Sequence, residues 1–524
     1  MNRIFKSLIL KAAVAGFALT GFAPAALAAA KVMNPGEAVG QLVYLSVDDV
    51  KNESDKYKSL SPLSIPVFAE MPLDMSVVAG AITLKQQNLL SHVQLKSRAR
   101  HTPNLDISDL EGGWNNPMFS RFGDGAWVRL VLGADHSVLI EAATEAQAVE
   151  FYNKKKNTVV KLQSDVQTAT IFRTEDLRSE DFIRVGSKAA NYGELSRALN
   201  TASRTVVRPG FGIPFFYYQE FIDTNPKIKA AINSVLRDPL MNRVAKVSYR
   251  EEKLKALRDL MQSEDAVVNE KLVDDLMSRF EQFRSNGIPR NMKLRSSTNS
   301  EDLPNFNGAG LYTSESYKPA KKGKEKSMDK KRESLKEALR IVWASVWNLR
   351  AFDERSYFRI PHAEVRMGVQ VNPSFSTEDA DGVVVTKNMS GDSRYPGTGV
   401  YIEVQRGDIH SVANPESGVK PQKILVLIDE NDPLNQAKYD VKVLQNSNIA
   451  DDMETVLPHD NPVPVITPDE IKDLTFQSLK AQRHLKPILD PENEKFSLDL
   501  EFKVDSGDTG SRQVYLKQAR PYID

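Results

Sequence analysis

Between residues 31 and 152 short apolar runs alternate with turn residues, as at Gly40–Leu45, Ser64–Ala69, Ala126–Leu132 and Ser137–Ala142. Runs of this length bounded by turn signals predict strands. Two stretches among them carry helical spacing instead, Asn88–Arg100 and Glu145–Lys155. Together they predict a compact, β-rich α/β domain. The texture over 153–180 is polar and mixed, opening on Lys154-Lys155-Lys156, and reads as a linker. From Phe182 helical periodicity takes over, most regularly in Glu251–Gln262 and Asn269–Arg284. Lys318–Arg332 is strongly basic and predicts a solvated loop or helix start. The pattern Glu333–Ile360 predicts one long helix with Trp343 and Trp347 on one face, as core-packing residues. Beyond Pro361 the strand texture returns, interrupted by a helix near Asp469–Arg483. It closes on a hairpin: Ser497–Val504, a turn at Asp505–Arg512, and a return strand carrying Gln518 and Arg520.

Composition narrows this picture. The 69 basic side chains balance 69 acidic ones, so no global field favours nucleic acid or an anionic membrane surface. Any phosphate site must be local. There is no cysteine, which excludes disulfides, thiolate metal sites and a thiol nucleophile. Arg3, Lys6 and Lys11 accompany an apolar stretch, Ala12–Phe22, and Ala26-Leu27-Ala28 and Ala28-Ala29-Ala30 suit a small-residue cleavage site. Residues 1–30 therefore predict a secretory signal peptide and an exported protein, periplasmic or secreted, with no membrane span after cleavage. An uncleaved anchor is the alternative.

Candidate chemistry concentrates in three places. In Lys293–Ser314, Arg295 can fork onto phosphate oxygens, Ser296, Ser297 and Thr298 can donate hydrogen bonds, and Gly308 and Gly310 allow close backbone approach. By spacing alone a capped polar turn explains that stretch equally well. In the closing hairpin Asp499 and Glu501 share a strand face. With the Gln518 amide oxygen they suit Mg²⁺, although a solvated charged face is the plainer reading of the hairpin alone. Lys188 stands at a Gly-rich helix entry, and His92 follows Ser91 near a predicted helix start where N–H groups favour an anion.

These stretches together are more specific than any one of them. Arg295-Ser296-Ser297, Glu301-Asp302-Leu303 and Gly308-Ala309-Gly310-Leu311-Tyr312 resemble the ATP-domain signature of the pyruvate phosphate dikinase, phosphoenolpyruvate synthase and glucan water dikinase family. Val185–Leu195, Pro209-Gly210-Phe211, Val342–Ala351, Ile360-Pro361-His362, Asp499–Phe502 and Tyr515–Pro521 resemble further elements of that domain in the same order. Gln405-Arg406-Gly407-Asp408 is the nearest match to a Gly-Leu-Gly-Glu element and departs from it, with Asp408 in the acidic role. Leu90-Ser91-His92-Val93, with Arg98 and Pro103 downstream, resembles the swivelling phosphohistidine domain, closest to the glucan water dikinases.

The resemblance implies a phosphohistidine domain at 31–152, a linker at 153–180 and a two-lobed ATP-grasp-like α+β domain at 181–524. It implies ATP and Mg²⁺ as cofactors, with nucleotide contacts from Lys188, Arg295, Ser296, Gly308, Gly310, Asp408 and Arg520. Metal contacts fall to Asp499, Glu501 and Gln518. His92, Arg295 and Lys188 become the catalytic set, and Arg98 and Arg100 added charge near the phosphohistidine. No (β/α)₈ barrel sequence follows Pro521, so the order expected is that of the glucan water dikinases, with a polysaccharide hydroxyl as phosphoryl acceptor. A non-catalytic nucleotide- or glycan-binding protein on the same fold is the competing expectation.

Overall fold

The computed structural model describes residues 25–26, 30–72, 75–87, 92–154, 160–285, 287–303, 306–308, 310–321, 323–407, 409, 412, 418–458, 462–507 and 509–522. Asp408 and most of the expected leader lie outside them. Ala25–Ala26 pairs with the strand Ser137–Ala142, and Ala30 is buried. No helix among the described residues is long and apolar enough to cross a membrane.

The N-terminal unit is built on an eight-stranded sheet. Its centre is four parallel strands: β1 (Gly36–Leu45), β2 (Ser64–Phe68), β3 (Ala81–Thr83) and β4 (Asn104–Asp106). Ala38, Leu42, Ile65, Val67, Ile82 and Leu105 meet beneath them. The antiparallel strands β5 (Trp127–Leu132) and β6 (Ser137–Ala142) extend one edge, with strict in–out alternation of burial along β5. Helix α1 (His92–Ala99) runs between β3 and β4, and α2 (Glu145–Lys154) closes the unit.

Two antiparallel sheets make the rest, and helix α3 (Ser187–Leu199) precedes both of their central strands in the chain. The first lobe holds a five-stranded sheet ordered Glu315–Tyr317, β8 (Met292–Thr298), β9 (Met367–Pro373), β7 (Phe211–Ile213) and Phe172–Arg173. Helices pack on one side of it, among them α4 (Glu270–Phe280), α5 (Met328–Ala344) and α6 (Leu349–Tyr357). Asn269 fixes the start of α4 by accepting the Lys271 and Leu272 amides at 2.8 and 3.1 Å. The second lobe holds a six-stranded sheet ordered Asp440–Gln445, Gln422–Leu427, β11 (Gly399–Arg406), β10 (Ala380–Val385), β12 (Leu498–Asp505) and β13 (Gln513–Pro521). Its far face buries Val384, Ile402, Leu500 and Phe502 with residues of α7 (Pro468–Leu489).

One stretch of chain joins β9 to β10, and one carboxylate ties three of its successive amides. Asp505 Oδ1 accepts the backbone amides of Ser376, Thr377 and Glu378 at 3.2, 2.9 and 2.9 Å and the Thr377 hydroxyl at 2.9 Å. Its other oxygen takes Arg208 at 2.8 Å.

Three expectations change. The helix expected over Glu333–Ile360 is two helices, because Ser345–Trp347 tightens to a 3₁₀ turn and Asn348 is extended. That break lets the Asn348 amide reach Leu311 O at 3.1 Å. Trp343 and Trp347 are buried core residues, as their spacing indicated. The helix expected over Asn269–Arg284 ends at Phe280. Of the linker expected over 153–180, residues 160–180 run along the first lobe. Leu162 and Ile171 enter its core, Asn299 donates to Gln163 O at 3.1 Å, and Tyr217 donates to Ala169 O at 2.9 Å. The polar average of the segment concealed those two apolar anchors.

Candidate nucleotide site

The pleat assigns the faces of β8. Met292 and Leu294 enter the first-lobe core, so Lys293, Arg295 and Ser297 point to the opposite side. On the neighbouring strand Val369 and Val371 share the core, and Gln370 and Asn372 lie beside Arg295 and Lys293 in register. This parity corrects one expectation. Ser296 shares the core side of the strand with Leu294, and Ser297 instead faces with Arg295.

Ser297 also fixes the next element. Its Oγ accepts the Ala189 amide at 3.0 Å, at the start of α3. Gly186 precedes that helix with φ +86° and ψ 159°. A Cβ there would lie 2.3 Å from Ser297 O, so only glycine lets this helix start beside β8. Lys188 is thereby delivered to Glu301, with Nζ 2.7 Å from Oε1. Glu301 also receives the Gly308 amide at 3.0 Å through its carbonyl, and a Cβ on Gly308 would meet its Cα at 2.9 Å. Gly310 follows exposed with φ +69°.

The Gly-rich turn is braced from behind. Ser300 and Tyr312 hydroxyls are 3.0 Å apart, and Arg355 donates to Tyr312 Oη at 3.3 Å and to Val346 O at 2.7 Å. Arg355 Nε also donates to His362 Nδ1 at 3.1 Å. Burial, then the Arg355 charge, hold the His362 imidazole well below its usual pKa. It is therefore a neutral acceptor, stacked on Phe352 at 3.8 Å. The Ile-Pro-His stretch acts here as support for the turn.

The second lobe supplies the opposing wall. Leu498, Leu500 and Phe502 fill the core, so Asp499 and Glu501 face away from it. Asp499 pairs in register with Arg520, and Glu501 with Gln518. The ladder then shifts by one residue, leaving Lys517 as an extra residue between Gln518 and Leu516. Arg520 grips Asp499 Oδ2 through Nε and Nη2 at 2.8 and 2.7 Å. Lys517 lies 3.4 Å from Glu501 and 3.6 Å from Asp381.

Electrostatics tie the two walls together. Burial alone would raise the Glu501 pKa, but Lys517, Arg520, Arg295 and Lys188 outweigh it and hold the carboxyl down at about 2. Charges from both lobes therefore act on one carboxylate, with Lys517 the nearest at 3.4 Å. A polyphosphate suits such a centre.

The donors fit a magnesium ion. Asp499 Oδ1 is buried without a hydrogen-bond partner, Glu501 stays ionised, and the Gln518 amide offers a third oxygen. No cluster of three or more His, Cys, Asp or Glu is found among the described residues. Phosphate oxygens would complete the shell of such an ion, as is usual for Mg²⁺.

His92 opens helix α1, with residues 88–91 outside the described set. That helix packs against Phe306–Asn307, the strand leading into the Gly-rich turn. Arg100, expected to add charge near a phosphohistidine, is instead buried in an ion pair with Glu354, and Arg98 donates to the Tyr522 hydroxyl. Arg98 lies in the last turn of the helix and Arg100 beyond its end, and both are committed to these partners.

Residues 183–523 match the family described as pyruvate phosphate dikinase, AMP/ATP-binding domain, and the chain belongs to it. A phosphoenolpyruvate synthase from Aeropyrum pernix is 23% identical over 376 residues, covering 64% of this chain. The chain spans 40% of the length of that relative.

Two cleft residues escaped the sequence. Lys517 was part of a recognised stretch, but its reach depends on a bulge that alternation does not encode. Gln370 is 1% exposed, and neither its Nε2 nor its Oε1 has a hydrogen-bond partner. An amide in an otherwise buried strand was the available signal. An unpaired buried amide costs about 1–3 kcal/mol, and a ligand that satisfies it recovers that energy. Gln370→Leu is therefore expected to leave thermal stability unchanged or raised. Mg-ATP affinity is expected to fall about tenfold or more. Melting curves and calorimetry check both, and loss of stability with unchanged affinity would refute the assignment.

Proposed function

We propose that the chain is an ATP-dependent phosphotransferase of the dikinase type. Lys188, Arg295, Lys517 and Arg520 hold the phosphates between the lobes. Mg²⁺, held by Asp499, Glu501 and Gln518, would neutralise charge on the transferring group. A ring nitrogen of His92 attacks the β-phosphorus, the bond from that phosphorus to the α–β bridging oxygen breaks, and AMP leaves. Water cleaves the β–γ bond and releases phosphate. The phosphoryl group on His92 then passes to an acceptor hydroxyl, for which a glucan is the class favoured by the Leu-Ser-His-Val resemblance. The N-terminal unit acts as the carrier domain, and the basic leader with its Ala-rich end supports an exported protein. The reading is carried by the Lys517–Glu501 and Arg520–Asp499 pairs on one wall and Arg295 and Lys188 on the other, with all four charges acting to keep Glu501 ionised. The packing of the His92 helix beside the Gly-rich turn adds support for transfer to that residue.

Incubation with β- and γ-labelled ATP tests it, read under basic conditions because phosphohistidine is acid-labile. Lasting label is expected on the protein from the β position alone, because hydrolysis removes the γ group first carried with it, and it is expected to vanish in His92→Ala. Label from the γ position without label from the β position would indicate an ordinary kinase. ATP binding without any labelling would favour the second reading, a nucleotide- or glycan-binding protein on a retained fold.

A further inference from the structure

The contact between the N-terminal unit and the first lobe contains an ion pair withdrawn from water. Arg100 Nε donates to Glu354 Oε2 at 3.1 Å, a second bond joins Arg100 to Oε1, and the two side chains are 1% and 3% exposed. Arg100 also donates to Ser76 O and Met75 O at 2.8 and 3.0 Å, so its guanidinium is rigidly seated in its own unit. Tyr357 donates to Arg100 O at 3.4 Å, and its ring meets Tyr152 at 6.4 Å. Arg98 reaches Tyr522 at the end of the closing hairpin. Apolar contact comes from Val244, which packs with Phe151 and Tyr152 against the same cluster.

We infer that Arg100 and Glu354 form a latch that fixes helix α1 against Phe306–Asn307, the strand leading into the Gly-rich turn. The partners make the latch more than an adhesive. Arg100 is the residue following α1, and Glu354 precedes Arg355, which holds Tyr312 of the turn. Docking of the N-terminal unit and support of the turn thus meet on adjacent residues of α6. Desolvation offsets much of the attraction in an ion pair this deeply buried, but loss of one partner leaves the other charge unpaired in a dry site. Arg100 and Glu354 are positioning residues. That their pose serves phosphoryl transfer rests on the function proposed above, whereas the latch itself does not.

The absence of cysteine permits a direct test. Lys58 of the N-terminal unit and Ser248 of the first lobe both line a cavity of about 670 Å³. In a full chain carrying Lys58→Cys and Ser248→Cys, a short bis-maleimide is expected to cross-link the pair efficiently. Adding Arg100→Ala or Glu354→Gln is expected to cut the yield about tenfold or more, and Arg100→Lys to restore part of it. Glu141→Gln, which breaks an exposed ion pair with Arg129, serves as the control and is expected to change nothing. Calorimetric Mg-ATP affinity is expected to stay unchanged in Arg100→Ala, while any labelling of His92 slows. Undiminished cross-linking in both Arg100→Ala and Glu354→Gln would overturn the latch. A matching loss of ATP affinity in Arg100→Ala would also overturn it, by showing general damage. Failure of wild type to label His92, with the cross-linking pattern intact, would sink the dikinase reading and leave the latch standing.

Discussion

Replacing Arg295 with alanine is expected to abolish useful Mg-ATP binding. The side chain stands on the cleft face of β8, beside Gln370, and is one of four cations that hold Glu501 ionised. Removing a charge-assisted contact of this kind costs about 2–5 kcal/mol, or roughly 30- to 4,000-fold in affinity. Arg295→Lys tells charge from shape. Lysine keeps the point charge but loses the planar fork, so an intermediate affinity is expected. A second readout follows from electrostatics. With Arg295 gone, the Glu501 pKa is expected to rise from about 2 toward its ordinary value, since burial then meets less opposition. Titration of that carboxyl by NMR checks the shift. Calorimetry showing equal ATP affinity in wild type and Arg295→Ala would remove the phosphate site from this cleft.

The other large effect belongs to a residue with no side chain. Gly186→Ala places a methyl 2.3 Å from Ser297 O and 2.5 Å from Ser297 Oγ, at a backbone conformation that only glycine adopts readily. The helix start cannot retreat without losing the Ala189–Ser297 bond, and Lys188 moves with it. The expected cost is about 3 kcal/mol or more, seen as a drop of several degrees in the melting of the nucleotide-binding part. ATP affinity is expected to fall with it, because Lys188 no longer meets Glu301 and the phosphates from the same position. A variant that melts and binds as wild type would show that the close approach at Gly186 is not needed.

Much of this site was legible in advance. Strand parity is local, so Asp499, Glu501, Gln518 and Arg520 could be placed by counting along the hairpin. The count failed wherever one residue changes the register. Lys517 reaches the cleft side through such a bulge; Ser296 is a separate case, since β8 pairs in unbroken register and plain alternation puts it on the core side, away from Arg295. Gln370 needed knowledge of its neighbours, since an amide is notable only when nothing pairs with it. Arg98 and Arg100 look like phosphate ligands from spacing to His92, but their partners lie 424 and 254 residues away in sequence. Long-range pairing of that kind leaves no local trace. The N-terminal strands were readable because β5 alternates cleanly. The break within the helix expected over 333–360 is a 3₁₀ turn that brings Asn348 to Leu311 O, a partner 37 residues away in sequence that helical spacing does not signal.

The Asp505 clamp has a consequence for how ligands enter. Three successive amides of the connection between β9 and β10 are tied to one carboxylate, itself held by Arg208. That segment loses its backbone freedom when the chain folds, so none remains to be lost there when a ligand arrives. The gap between the two sheets is accordingly preset, like the jaws of a caliper locked at one reading. Adjustment to a bound molecule then falls to what lies outside the lock: the exposed Gly310 corner, the bulged return strand and the docked N-terminal unit.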